Sequence, residues 1–158
     1  MSFASFAARS SVRAALLVTS LLAIRASASQ DDSSDFTLTI ALSEARNDKG
    51  RLVVGLFASE ADFPRQGRAL RASKLTLERG NAAVTFRGLE PGVYAIAVLH
   101  DENSNSKMDF NFLGMPLEGY GFSNDAPVGF GPPSFEAAAF KLVARRSRVP
   151  IRVRYFLG

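Results

Sequence analysis

A chain of 158 residues with no cysteine is one domain's worth, and it has no disulfide scaffold, thiolate zinc site or cysteine nucleophile. Three of its 19 basic residues (Arg9, Arg13 and Arg25) and none of its 15 acids fall within residues 1–28, so the formal charge of +4 shrinks to about +1 for the remainder. That balance gives no electrostatic pull on nucleic acid.

The chain opens with Arg9 and Arg13, an apolar run AALLVTSLLAI at 14–24, and the small residues Ala26-Ser27-Ala28. A basic start, a short apolar segment and a small-residue cleavage site predict a secretory signal peptide over residues 1–28. The run is shorter than the roughly 20 apolar residues that span a bilayer. The expectation is therefore export to the periplasm or the extracellular space, as a monomer with no transmembrane segment after cleavage. Residues 29–35 (SQDDSSD) read as a disordered tether, and 36–158 as a single domain.

From Phe36 the pattern has period 2, with Phe36, Leu38, Ile40 and Leu42 on one face, which predicts a half-buried strand. Asn47-Asp48-Lys49-Gly50 is a turn, followed by LVVGLFA (52–58), a nearly continuous apolar strand. Residues 59–73 lack alternation and read as a connection. Leu75 and Leu77 are expected to pair with Ala82, Val84 and Phe86 in a hairpin across Arg79-Gly80-Asn81. GLEPG (88–92) leads into VYAIAVLH, and AAAFKLV (137–143) and VPIRVRYF (149–156) supply the last two strands. Seven strands without a helical pattern predict an all-β fold, an antiparallel seven-stranded β-sandwich with one long ordered loop over 100–136. The arginines at 145, 146, 148, 152 and 154 read as protection of an edge strand, with an anionic partner as the alternative.

The long loop carries the chemistry. Asp101, Asn103 and Asn105 occupy the first, third and fifth places of a D-x-[DN]-x-[DN] pattern, Lys107 would offer its carbonyl at the seventh and Asp109 stands at the ninth. Hard cations such as calcium take six to eight oxygens, and alternate side chains of a curling loop supply them. Calcium is accordingly the cofactor this spacing suggests. Ser106 replaces the usual glycine and Phe112 the usual bidentate acid. The same side chains also suit an Asx-rich turn that bonds its own backbone. Both readings stand on sequence.

The run PGVYAIAVLHDENSNSKMDFNFLGMPLEGYGFSNDA, continuing to FGPPSFEAAAF, resembles an exported bacterial family catalogued as domain of unknown function 2141. The resemblance covers Phe36 to about Val143 and is most specific from Asp101 to Asn124, including Asn111, Gly114, Pro116, Glu118, Gly119, Gly121, Phe122 and Ser123. Ser104 and Ser106 stand where similar proteins often have glycine. The resemblance implies an exported β-sandwich and no established activity. GLEPGVYAIAV is also similar to transthyretin-like and carboxypeptidase regulatory-like modules, so the sandwich is expected to be immunoglobulin-like or transthyretin-like.

Phe110, Phe112, Tyr120, Phe122, Phe130 and Phe135 are interleaved with glycines behind the acidic turn. They could grip a ligand or fold back to plug one end of the sandwich. The candidate ligand or partner surface comprises His100, Asn111, Glu118, Tyr120, Phe122, Ser123, Asn124 and Phe130. No residue is assigned a catalytic role, because neither a nucleophile elbow nor a cysteine accompanies His100. The functional expectation is a non-enzymatic binding or interaction module for an envelope ligand or protein, with loop 100–135 as its working surface, braced by calcium if the turn holds an ion. Two alternatives stand beside it. One is an envelope hydrolase acting on saccharide or peptide through loop carboxylates and His100; the other is a purely structural accessory protein.

Overall fold

In a computed structural model, the described residues are 36–156. The expected leader and tether, residues 1–28 and 29–35, lie outside them. The elements in chain order are β1 (Phe36–Ser43), β2 (Arg51–Phe57), β3 (Arg71–Leu75), β4 (Ala82–Leu89), β5 (Gly92–Asp101), β6 (Gly119–Phe122), a 3-10 turn (Ser123–Asp125), α1 (Phe135–Ala138), β7 (Phe140–Leu142) and β8 (Arg146–Arg152). The fold is all-β. A three-stranded sheet has the order β4-β1-β8, and a five-stranded sheet runs β3-β2-β5-β6 with β7 also paired to β5.

Alternation in β1 does what its pattern predicts. Leu38, Ile40 and Leu42 are buried while Thr39 and Ala41 between them are only half-buried, and Thr39 and Thr85 hydroxyls meet at 3.1 Å across β1 and β4. Leu52, Val54 and Leu56 of β2 and Tyr94, Ile96 and Val98 of β5 join them, with Ile151 and Val153, in one core between the sheets. Fully burying each such aliphatic side chain contributes about 1.5–3 kcal/mol.

Three sequence-based expectations need correction. The described residues form eight strands, and they are not all antiparallel: β1 and β8 pair parallel from Thr37↔Arg146 to Ser43↔Arg152. The hairpin across 79–81 does not form. Strand β3 pairs with β2, from Leu52↔Leu75 to Leu56↔Arg71, whereas β4 pairs with β1 from Leu42↔Ala82 to Phe36↔Leu89. The chain therefore changes sheets between Leu75 and Ala82, burying Leu77 on the way, and a single Glu78↔Asn81 bridge marks the turn. Asp48 fixes that turn by accepting from the Arg79 and Gly80 N–H groups at 2.9 and 2.7 Å. Third, loop 100–136 contains β6 and runs into the single turn α1, which Ser134 caps by accepting from Ala137 N–H at 3.2 Å.

The arginine-bearing β8 lies at an edge of the three-stranded sheet, with Pro150 in it. Proline and outward charges both discourage pairing with another chain. Arg152 and Arg154 also close on Asp125, holding its carboxyl below the usual range chiefly through the Arg152 hydrogen bond. Among the described residues no helix is long and apolar enough to cross a membrane.

Candidate functional site

The five-stranded sheet is apolar on both faces, because LVVGLF and VYAIAVL alternate between two kinds of apolar residue rather than between apolar and polar. One set enters the core. The other, Val53, Gly55, Ala97 and Leu99, faces away from it and continues across β6 into Tyr120 and Phe122 and across β3 into Ala72. These residues floor a cleft of about 970 Å³. Its walls are three loops, contributing Pro64 to Gly67, Met108 to Pro116 and Val128 to Pro132.

One end of this outer face is closed by an aromatic cluster. Phe63 is buried and meets Phe57, Phe135 and Phe122 edge-on, with ring centres 5.3, 5.8 and 6.0 Å apart. The loop aromatics thus divide between the two uses expected of them. Phe122 and Phe135 help to plug that end, whereas Phe110, Phe112 and Phe130 are exposed at 56%, 95% and 117%. Large exposed rings beside an apolar cleft are the usual mark of a contact surface.

The wall from Met108 to Pro116 is shaped by its own polar residues. Asn111 Oδ1 accepts from Leu113 and Met115 N–H at 2.9 and 3.0 Å, and Asn111 N–H donates to Met115 O at 2.9 Å. A Phe110↔Pro116 bridge makes the segment a small hairpin. At its base Glu118 accepts from Glu102 N–H at 3.1 Å and Asp109 N–H at 3.4 Å. Burial pushes the Glu118 carboxyl above its usual range, and the charges of Asp109 and Asp101 add to the shift while the two N–H bonds oppose it.

The Asp101 turn is the anchor. Asp101 is fully buried, and its two oxygens accept from Asn105 N–H at 2.9 Å and Ser106 N–H at 2.8 Å. Asn103 Oδ1 also accepts from Asn105 N–H, and Asn105 Oδ1 from Lys107 N–H. These bonds set both carboxamides, since a backbone N–H can face only an oxygen. The two NH2 groups then point to Asp109 Oδ2, at 2.6 Å from Asn103 and 2.9 Å from Asn105. Asp101, Asn103, Asn105 and Asp109 do come together, but as an Asx turn closed on itself. The amide groups present hydrogens where a calcium ion needs oxygens, and Lys107 enters through its N–H. Among the described residues no three His, Cys, Asp or Glu side chains form a metal-holding group. Several millimolar calcium is therefore expected to leave the thermal midpoint unchanged; a clear rise would assign the turn to an ion after all. Ser104 and Ser106 both adopt positive φ, 62° and 64°, the backbone that glycine takes most readily.

His100 is also fully buried. Its Nε2 lies 2.9 Å from Lys49 O, which can only accept, so Nε2 carries the proton and Nδ1 accepts from the Tyr155 hydroxyl at 2.5 Å. That hydroxyl in turn accepts from Arg46 N–H at 3.0 Å, and burial pushes the phenol up. The Arg46 guanidinium stacks 4.4 Å from the Tyr155 ring centre and forks onto Glu102, at 2.8 and 2.5 Å. Asn47 donates to the same carboxylate at 2.7 Å. This network ties the end of β5 to the 44–50 turn and to the segment following β8.

Arg46 holds the Glu102 carboxyl below its usual range. A lowered folded value means that the contribution is present above the unfolded carboxylate range and is lost as pH falls through the folded value. Glu118 has the opposite sign: its raised value makes folding more favourable as pH falls through that window. Comparison with Glu102→Gln cancels Glu118 and isolates Glu102. Urea midpoints should show wild type more stable than the variant near neutrality, with the gap closing in acid; a pH-independent gap would contradict the assignment.

The residues expected to form one surface therefore separate. Tyr120, Phe122 and Phe130 line the cleft, and Asn111 shapes its wall. His100, Glu118 and Ser123 are buried. Ser123 Oγ accepts from Ile96 N–H at 2.8 Å and donates to Ala138 O at 2.6 Å, while Asn124 donates to Ala139 O at 2.7 Å. These bonds brace the fold from within. The β2 and β5 floor and Arg65 on the opposite wall were not anticipated. The nearly continuous apolar character of LVVGLFA was the available signal, since a sheet covered on one side only needs alternation.

By fold and site, the molecule is an all-β protein carrying an apolar cleft outside its core. A family model described as "Uncharacterized protein conserved in bacteria (DUF2141)" matches residues 40–149, and the chain belongs to that family. Neither the curated proteins nor the solved structures offered a match.

Proposed function

We propose that the protein is an exported binding module, a β-sandwich of immunoglobulin-like or transthyretin-like kind, whose working surface is the cleft on the outer face of its larger sheet. The ligand is an apolar or amphipathic molecule or segment. One observation carries the reading: about 970 Å³ of open cleft with an apolar floor, bordered by the exposed side chains of Phe110, Leu113 and Phe130. Pockets of this size accommodate ligands of several hundred daltons, mainly through apolar contact. The Asp101 turn and Glu118 serve the site indirectly, by holding the Met108–Pro116 wall in place.

The hydrolase reading finds less support. His100 and Asp101 are enclosed with their polar atoms bonded, and the cleft lining contains no Asp, Glu or His. The chain has no tryptophan, so a fluorescent apolar probe can be followed against a dark background. N-phenyl-1-naphthylamine is expected to bind saturably, with micromolar affinity, about −8 kcal/mol. Leu99→Glu, which places a charge in the floor, should abolish the signal. A double change at the exposed rim, Leu113→Ser with Phe130→Ser, should weaken it without touching the core. Absence of saturable binding by wild type would remove the proposal.

A further inference from the structure

The cleft is apolar, but its mouth is not electrically neutral. Among the residues that line it one is charged, Arg65, and none is acidic. Arg68 and Arg71 follow on the same loop and strand edge, all three side chains are exposed, and among the described residues none of them makes a salt bridge. The two acids of that loop, Glu60 and Asp62, lie outside the lining. An apolar cleft with one cation and no anion in its lining complements a molecule built the opposite way.

Resting on the cleft reading above, we infer that the occupant is an anionic single-chain amphiphile, a long-chain carboxylate, with its tail across the sheet and its head at Arg65. The floor crosses β3, β2, β5 and β6 through the register partners Ala72, Gly55, Ala97 and Phe122. Three intervals of about 4.8 Å make a trough roughly 14 Å long. An extended chain of single bonds advances about 1.2 Å per bond, so about a dozen carbons fill it. A guanidinium at the mouth meets the carboxylate with two parallel N–H donors, which selects the anion over a neutral or cationic head.

The test displaces N-phenyl-1-naphthylamine, a neutral probe that reports the cleft irrespective of charge. Dodecanoate, below its micellar concentration, is expected to compete about tenfold better than dodecyltrimethylammonium, and Arg65→Glu to reverse that order. Butanoate, too short to cover the floor, should not compete. Arg65 is exposed, so the variant is expected to fold, and calorimetric titration of the two dodecyl compounds into it reads their order independently of its probe affinity. Equal competition by the two dodecyl compounds would overturn the carboxylate inference while leaving the cleft reading intact. Failure of the probe itself to bind wild type would remove both. Binding to anionic phospholipid vesicles that depends on Arg65 and resists dodecanoate would assign the cleft to a membrane surface and overturn the inference. Probe uptake per chain that falls as protein concentration rises would assign it to a second copy, with the same consequence.

Discussion

Asp101→Ala is expected to cost about 3–5 kcal/mol of folding free energy and to remove probe binding with it. Both oxygens of this buried carboxylate accept backbone N–H groups of the turn that follows. Alanine leaves Ser106 N–H without a partner and Asn105 N–H with only its bond to Asn103 Oδ1, and each loss of a charge-assisted bond costs about 1.5–3 kcal/mol. The effect spreads because the Asp101 turn leads directly into the wall that Glu118 holds at Asp109. Asn at 101 keeps one acceptor and turns an NH2 towards the other donor, so Asp101→Asn should fall between wild type and alanine. Urea denaturation measures the loss, and the fluorescent probe measures the cleft. An alanine variant within about 1 kcal/mol of wild type, with binding retained, would mean that the loop is held by something else. Typical domains have only about 5–15 kcal/mol in total, so the predicted loss is a large share.

Much of the architecture could be read from side-chain alternation, and the places where reading failed have identifiable causes. Leu38, Ile40 and Leu42 announce β1 because one face meets the core and the other meets water. Strand β6 escapes notice because GYGF has bare backbone on one side and rings on the other, a pattern with no aliphatic residues. Pairing partners are less legible still. Leu75 and Ala82 are close in sequence and carry a good turn between them, yet they belong to different sheets, because burying Leu77 between the layers outweighs a local hairpin. For the site, proximity in sequence was the misleading guide. His100, Glu118 and Ser123 belong to the same suspect loop as Tyr120 and Phe130, but polar atoms that satisfy backbone groups are drawn inward while the rings stay out. The floor was hidden in an ordinary-looking strand, and only its excess of apolar residues hinted at a second covered face.

The alternation in β6 also sets the second large effect, Gly121→Val. Tyr120 and Phe122 point to the cleft, so Gly119 and Gly121 point the other way, towards the end of β8 and the residues after it. A Cβ on Gly121 would lie 2.7 Å from Ile151 Cγ2 and 2.8 Å from Arg152 O; one on Gly119 would lie 2.6 Å from Tyr155 and 2.7 Å from Val153. The close approach permits a bridge between the two sheets, with Tyr120 N–H donating to Arg154 O at 2.8 Å and Arg154 N–H to Tyr120 O at 2.7 Å. Valine adds three carbons where even one does not fit, and the obstacle at Arg152 is backbone, which cannot swing aside. The strand must lift from β8, breaking the bridge and displacing the two rings from the floor. A loss of about 3 kcal/mol or more is expected, together with faster hydrogen exchange at the Tyr120 and Arg154 amides and loss of probe binding. Gly121→Ala should do the same to a smaller degree. If valine were tolerated with those amides still protected, β6 would not be pinned against β8 and the floor of the cleft would need another support.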